Sequence, residues 1–254
     1  MLLHHYIITR FNIKQSFGCQ PRNPEKNLLY KNLENTYLTN RFEIFEKFTF
    51  PSIYQQTNQD FTWLLLFHKQ TPEEFKKRMM KWKEAMPQIQ LLFFEDNEKF
   101  AIEDYRKAVG EDTDMAYITS RIDNDDAYHL TYIEKIQDYI QTMDQVKPCI
   151  LSFEKGMQYA VDTQKLYAYS YLENHFTSMI STKGSQYQFI YQINHARVLE
   201  HAEEIELKCI KEELPMWLEI VHDTNYINRI KSEKEDWIPE EDSKKILMDF
   251  GITP

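Results

Sequence analysis

The sequence predicts an α/β protein: a mixed, mostly parallel sheet with helices on its faces and a smaller C-terminal region added to it. Three observations lead there. Short apolar runs alternate with helix-period segments from His5 to Met143, the pattern changes beyond Pro148, and a dense acidic cluster stands at the end of the fourth apolar run. The chain of 254 residues is 42% apolar and 14% aromatic, enough to build one sizeable core. We expect one domain over 1–254, with a first half of 1–127 and a second half of 128–254 that ends in a helical tail.

His5 to Phe11 reads as a buried strand whose end turns polar at Thr9 and Arg10. After a polar loop with Pro21 and Pro24, Phe42, Phe45 and Phe48 recur at helical spacing toward Pro51 and are assigned to the core. Arg41 beside them could pair along its own helix or reach a site. Thr57-Asn58-Gln59-Asp60 is a turn, and Phe61 to Phe67 is a second buried strand. Thr71, Pro72, Glu73 and Glu74 then form a helix start, with Thr71 as cap and proline at the first helical position.

A third strand is expected over 89–95, a short charged helix over 98–108, and a fourth strand from Met115 to Ile122. Ile133, Ile136, Ile140 and Met143 share one face of a helix placed over 128–143. A strand follows at Cys149 to Phe153, then a mixed aromatic region through Tyr191. Trp217 to Val221 is the last apolar strand, and Ile246 to Phe250 belong to a terminal helix. Trp63 and Trp217 are read as core aromatics, and the charges from Glu233 to Glu241 as solvated surface.

Composition narrows the function. Lys and Arg number 30 against 40 Asp and Glu, a net charge of −10, the wrong sign for neutralising a nucleic-acid backbone. Gly18, Gly110, Gly156, Gly184 and Gly251 stand too far apart to form a glycine-rich phosphate loop. Any nucleotide phosphates must therefore be held by side chains or by a metal. Cys19, Cys149 and Cys209 show neither zinc spacing nor a disulfide framework, which points to a reducing, cytoplasmic setting. The longest apolar run, Trp63 to Phe67, is too short for an integral membrane segment, although peripheral attachment stays open.

The chemistry is expected at Asp123-Asn124-Asp125-Asp126. Ligands of open α/β sheets bind at the carboxyl ends of strands, and three carboxylates within four positions repel one another unless a cation or solvent relieves them. Hard oxygen ligands suit Mg²⁺ or Mn²⁺, which share their coordination sphere with phosphates. Arg121, two residues earlier on the strand, faces the same side and suits phosphate. His222, after the last strand, could supply a nitrogen ligand. Asp123, Asp125 and Glu134 have EF-hand spacing, but Ala127 and Tyr128 stand where a ligand and a glycine belong. A hydrolase-type metal set of Asp123, Asp125, Asp126 and His129 is a competing reading.

Ile8-Thr9-Arg10-Phe11-Asn12, Arg41-Phe42-Glu43-Ile44-Phe45-Glu46, Pro51-Ser52-Ile53, Gln56-Thr57, Asp60-Phe61, Trp63-Leu64, the block Arg121-Ile122-Asp123-Asn124-Asp125-Asp126-Ala127, and Trp217-Leu218 with Val221-His222 and Asn225 form a recognisable series. It resembles the bacterial rhamnosyl transferase family, and more broadly the family 2 nucleotide-sugar glycosyltransferases of the GT-A (Rossmann-like) fold. Ser52, Ile53, Gln56 and Thr57 fit the helix end of those relatives. Phe67 and His68 depart from them, standing where acidic residues usually contact the base.

The resemblance implies a GT-A-like sheet with an acceptor-side second half, and sugar transfer from a UDP-, dTDP- or GDP-sugar to a glycan or lipid-linked acceptor, with Mn²⁺ or Mg²⁺ as cofactor. It implies that Thr9, Arg10, Phe11, Arg121, Asp123 and Asn124 meet the nucleotide sugar and that Asp123, Asp125 and His222 hold the metal. Asp126, Glu173 and His195 are the candidate general bases of an inverting reaction. Loss of the Asp125 carboxylate in Asp125→Ala is expected to stop turnover and, on an exposed loop, to spare the fold. Two other functions fit the residues alone: a metal-dependent phosphohydrolase, and a non-catalytic glycan or nucleotide-sugar binding module.

Overall fold

A computed structural model describes residues 3–13, 31–95, 101–102, 105–106, 116–223, 225, 229–231 and 237–253. Among the described residues there are eleven strands: β1 (His4–Arg10), β2 (Thr62–His68), β3 (Ile89–Phe94), β4 (Tyr117–Arg121), β5 (Ala127–Tyr128), β6 (Cys149–Phe153), β7 (Lys155–Ala160), β8 (Lys165–Ser170), β9 (Ser178–Ser181), β10 (Glu206–Ile210) and β11 (Trp217–Val221). The helices are α1 (Asn35–Ile44), α2 (Phe50–Tyr54), α3 (Glu73–Ala85), α4 (Tyr132–Gln141) and α5 (Glu240–Asp249), and a π-helical stretch, Phe45–Thr49, joins α1 to α2.

The strands form two sheets. The larger has seven strands in the order β10-β6-β9-β4-β1-β2-β3, and the smaller has four in the order β5-β11-β7-β8. In the larger sheet only β9 runs antiparallel to its neighbours β4 and β6. This is the mixed, mostly parallel sheet expected. Central strands of a parallel sheet are covered on both faces, which is why β1 and β2 read as continuous apolar runs.

On one face Ile7, Trp63, Leu65 and Ile118 pack against Phe42 and Phe45, Phe75, Met79 and Trp82 of α3, and Ile133, Ile136 and Ile140 of α4. Tyr6, Ile8, Leu64 and Leu66 face the other way, onto Ile102 and the short 3₁₀ turns that carry Ile190, Tyr191 and Val198. Leu218 and Ile220 of the small sheet meet Phe48 and, from the C-terminal tail, Leu247 and Phe250. Trp63 and Trp217 are both fully buried. Among the described residues no helix is long and apolar enough to cross a membrane.

Two expected boundaries move. Thr71 does not cap α3: its hydroxyl donates to the His68 carbonyl at 2.6 Å, and Pro72 occupies the cap position instead. Helix α4 starts at Tyr132 rather than Tyr128, because Ala127 and Tyr128 pair with Leu218 and Trp217. The helix expected over 98–108 and the charges from 233 to 236 fall largely outside the described residues. The antiparallel strands β7, β8 and β9 were not anticipated within the aromatic region.

A buried polar line crosses the large sheet. His5 Nε2 lies 2.6 Å from Ser120 Oγ, which lies 2.5 Å from Ser178 Oγ. Burial pushes the His5 pKa down to about 3, and His4 adds to the effect. The unfolded chain therefore binds a proton near pH 6.5 that the folded chain refuses until about pH 3. The neutral His5 contributes stability that is complete above pH 6.5 and lost as pH falls toward 3. In urea unfolding at pH 7 and pH 4, His5→Gln should lose less stability between the two pH values than wild type, by a few kcal/mol. Equal losses would show that His5 does not carry the acid sensitivity.

Candidate active site

Strand β4 ends at Arg121, yet the next residue is still tied to β1: the Ile122 N–H donates to the Ile8 carbonyl, and the following residues form a turn closed by Asp126 N to Asp123 O at 3.3 Å. Beyond it Ala127 joins the small sheet. The acidic block thus occupies the passage between the two sheets, at the carboxyl ends of parallel strands. Each of its four side chains has a different surrounding.

Asp123 is the one offered outward, with 36% of its side chain exposed and Oδ1 3.5 Å from an Arg121 guanidinium nitrogen. Asn124 accepts from Arg41 and donates to the Phe11 carbonyl at 2.9 Å. Asp125 is buried, and its Oδ2 receives Arg41 at 2.6 Å and Asn225 Nδ2 at 2.9 Å, with His222 Nε2 at 3.1 Å. Arg41 therefore reaches the site from α1, while its guanidinium also lies 5.6 Å from the ring centroid of Tyr37 on the same helix. Burial by itself would raise the Asp125 pKa; Arg41, and then the His222 hydrogen bond, outweigh it and hold the carboxyl below its usual range. The expectation that Asp125 stands on an exposed loop is corrected here, since it is only 6% exposed.

Asp126 is fully buried. Its Oδ1 accepts the Ile220 N–H at 2.9 Å and its Oδ2 lies 2.7 Å from His175 Nε2. Burial drives its pKa up to about 7 despite His175. Burial opposes charging of His175 too, but the adjacent Asp126 carboxylate prevails and raises it. His175 is the residue the sequence reading missed. Its loop is pinned by Asn174, whose Nδ2 donates to the Phe153 and Tyr171 carbonyls and whose Oδ1 accepts from Phe176 N.

Two ligand sets emerge. Asp125 and His222 of the expected metal set come together, but Asp125 Oδ2 already accepts from Arg41 and Asn225. Among the described residues, the group whose ligand atoms all lie within 4.8 Å of one another is Asp123, Asp126 and His175. Two carboxylate oxygens and one imidazole fit Mg²⁺ or, with the nitrogen, Mn²⁺, which would take the place of the present 2.7 Å contact between Asp126 Oδ2 and His175 Nε2. Asp123 belongs to both sets.

The other expected residues divide. Arg10 and Arg121 both lie against the Tyr191 ring, 4.3 and 4.7 Å from its centroid. Thr9 and Phe11 turn inward: the Thr9 hydroxyl accepts from Trp63 Nε1, and Phe11 packs among Phe42, Phe45 and Phe67. Glu173 sits half-buried in the turn before Asn174, two residues from His175. His195 begins a short 3₁₀ segment, and its side chain lies outside the described residues. His129 packs edge-on against Phe250 and bonds Thr131, so the hydrolase-type set is left without its histidine. His68 is buried, its Nδ1 accepting from Gln70 N.

The profile of the family described as "Putative rhamnosyl transferase" matches residues 5–234. No curated protein matches the chain. Among solved structures, S. aureus TarS 1–349 in complex with UDP is similar at 8% identity and a TM-score of 0.50, over 87% of this chain and 61% of that one. A second S. aureus TarS structure gives 8% identity and a TM-score of 0.48, over 87% of this chain and 37% of that one. The inositol-1-phosphate CTP transferase of T. maritima gives 11% identity and 0.41, over 99% and 98%. The chain thus spans less than two thirds of either of these two TarS chains. At such identities the likeness is one of fold, and that fold is GT-A.

Proposed function

Because the chain belongs to this rhamnosyl transferase family, we propose that it is a nucleotide-sugar glycosyltransferase, moving rhamnose or another deoxysugar from a nucleoside diphosphate to a hydroxyl of a glycan or lipid-linked acceptor in the cytoplasm. The observation that carries the reading is the junction of the two sheets. There, Arg10 and Arg121 stand at the ends of β1 and β4 beside the half-exposed Asp123, the partly buried His175 and the buried Asp125 and Asp126. The fold likeness to S. aureus TarS, whose structure holds UDP, is in keeping with a nucleotide donor.

Breaking the glycosidic bond leaves negative charge on the departing diphosphate, and fixed cations held in a dry site stabilise such charge far better than water does. Arg10 and Arg121 would take that role from the ends of their strands. Asp123 with Asp126 and His175, or with Asp125 and His222, would hold Mn²⁺ or Mg²⁺, which supplies further positive charge at the leaving group. Arg41, His222 and Asn225 keep Asp125 ionised and in one orientation. The acceptor's hydroxyl proton needs a base. Asp126 is poorly placed for it, since both oxygens are engaged and neither meets solvent. Glu173, at the outer edge of the His175 loop, is the better candidate among those described.

The test is a thermal-shift screen against UDP-, dTDP- and GDP-sugars, each with and without Mn²⁺, since a ligand of the folded state raises the melting temperature by mass action. One nucleotide class should shift the protein, more so with metal, and the same donor should be turned over when acceptors are supplied. No shift with any donor, and no sugar transferred, would remove the glycosyltransferase reading.

A further inference from the structure

Tyr191 comes from the second half of the chain, far from β1 and β4 in sequence, yet it is the point where their polar ends meet. Its ring is buried, and its hydroxyl donates to the Ile8 carbonyl at 3.1 Å, the same oxygen that receives the Ile122 N–H. Ile8 and Arg121 are register partners in the parallel pair β1 and β4, and Arg10 lies two residues beyond Ile8. Side chains on one face of a strand recur every second residue, and parallel partners point the same way. Arg10 and Arg121 therefore project from one face of the sheet, diagonal to each other, and both guanidinium groups come to rest on the Tyr191 ring. Burial raises the Tyr191 pKa, and the Asp123 charge adds to that effect.

Two guanidinium groups drawn to one ring repel each other and, being long, sample many rotamers. A buried aromatic face relieves both problems, attracting each cation through its quadrupole and fixing the plane of each fork. The chain lacks a glycine-rich loop, so a nucleotide's phosphates need another cradle. We propose that Tyr191 is a positioning residue that holds Arg10 and Arg121 as a paired cradle for the diphosphate of the donor. The proposal rests on the glycosyltransferase reading for the identity of the donor, but not for the anion site itself.

Binding of inorganic pyrophosphate, followed by calorimetry with and without Mn²⁺, tests it in wild type, Tyr191→Phe and Tyr191→Leu, with competition by UDP, dTDP and GDP. Tyr191→Leu should bind pyrophosphate about tenfold more weakly, the scale of losing aromatic contact to two cations. Tyr191→Phe keeps the ring, loses the hydroxyl's bonds to the Ile8 carbonyl and to Arg10, and should stay within about threefold of wild type. In turnover, Tyr191→Leu should raise KM for the donor more than it lowers kcat.

Wild-type affinity in Tyr191→Leu overturns the proposal. Equal weakening in both variants also overturns it, because the hydroxyl bond and not the ring would then set the site. If pyrophosphate binding follows the expected order but no nucleoside diphosphate competes, the cradle stands and the glycosyltransferase reading fails. If a nucleoside diphosphate binds and pyrophosphate does not, the cradle fails and that reading stands; binding of neither defeats both.

Discussion

Asp125→Asn is expected to cut sugar transfer by about a thousandfold, the upper range for loss of one charge-stabilising group in an active site. The substitution keeps the shape of the side chain and removes only its charge. The consequence for the fold differs from that of an exposed loop, because Arg41 and Asp125 meet at 2.6 Å with side chains 10% and 8% exposed. Removing one member of such a pair strands the other charge in the interior, at a cost of about 3–5 kcal/mol. Loss of activity in Asp125→Asn could therefore reflect a displaced Arg41. The double variant Arg41→Met/Asp125→Asn separates the two effects, since apolar replacement of a buried pair is often close to neutral. Urea unfolding should show the single variant destabilised and the double variant largely restored, while transfer stays lost in both. Recovery of transfer in the double variant would reduce Asp125 to a counter-ion for Arg41 with no role toward the donor.

The central sheet was legible because its strands are buried on both faces. Tyr6 to Ile8 and Trp63 to Phe67 are runs that only a covered strand would tolerate, and the helices between them keep a 3.6-residue period. Of the small sheet only β11, the apolar run Trp217–Val221, was legible. Strands β7 and β8 mix Gln158, Tyr159, Tyr167 and Tyr169 with apolar residues, and their hairpin turns through Gln164 at a φ of 55°, without a glycine to announce it. Strand β5 is two residues long and owes its existence to β11, nearly ninety residues away, so the local signal there was that of a helix start.

The site divides along the same line. Arg121 and the four residues of the acidic block were found because strand and turn lie together in sequence, and period-two geometry puts Arg121 and Asp123 on one side. Arg41 was left undecided, since helical spacing cannot say which neighbour a long side chain selects. His175 was missed for a physical reason: its neighbours Glu173 and Asn174 show no ligand pattern, and its proximity to Asp126 exists only because Asn174 ties the loop back to Phe153 and Tyr171. Tyr191 looked like one more aromatic in a mixed stretch, and only the register of β1 against β4 gives it two arginines to touch.

Gly156→Ala should be the most damaging glycine-to-alanine change among the described residues. An ideal Cβ there would lie 2.1 Å from the Trp217 indole and 2.2 and 2.4 Å from two further atoms of the same ring, well inside van der Waals contact. The ring cannot swing clear. Trp217 is 1% exposed, stacks on Phe176 with centroids 5.1 Å apart, meets Tyr169 edge-on, and donates from Nε1 to the Phe153 carbonyl at 2.9 Å. Overpacking of this kind costs about 3 kcal/mol, the upper end for a core insertion, because strand and ring must both shift. The displacement would also reach the site. Trp217 opens β11, the strand whose Ile220 N–H holds Asp126 and whose end presents His222 to Asp125. Gly156→Ala should therefore lower the urea midpoint and weaken donor binding together. Adding Trp217→Phe, a smaller ring, should return part of both losses, so the double variant is more stable than the sum of its single effects allows. A Gly156→Ala protein that unfolds at the wild-type midpoint would mean that the indole has room the present packing denies it.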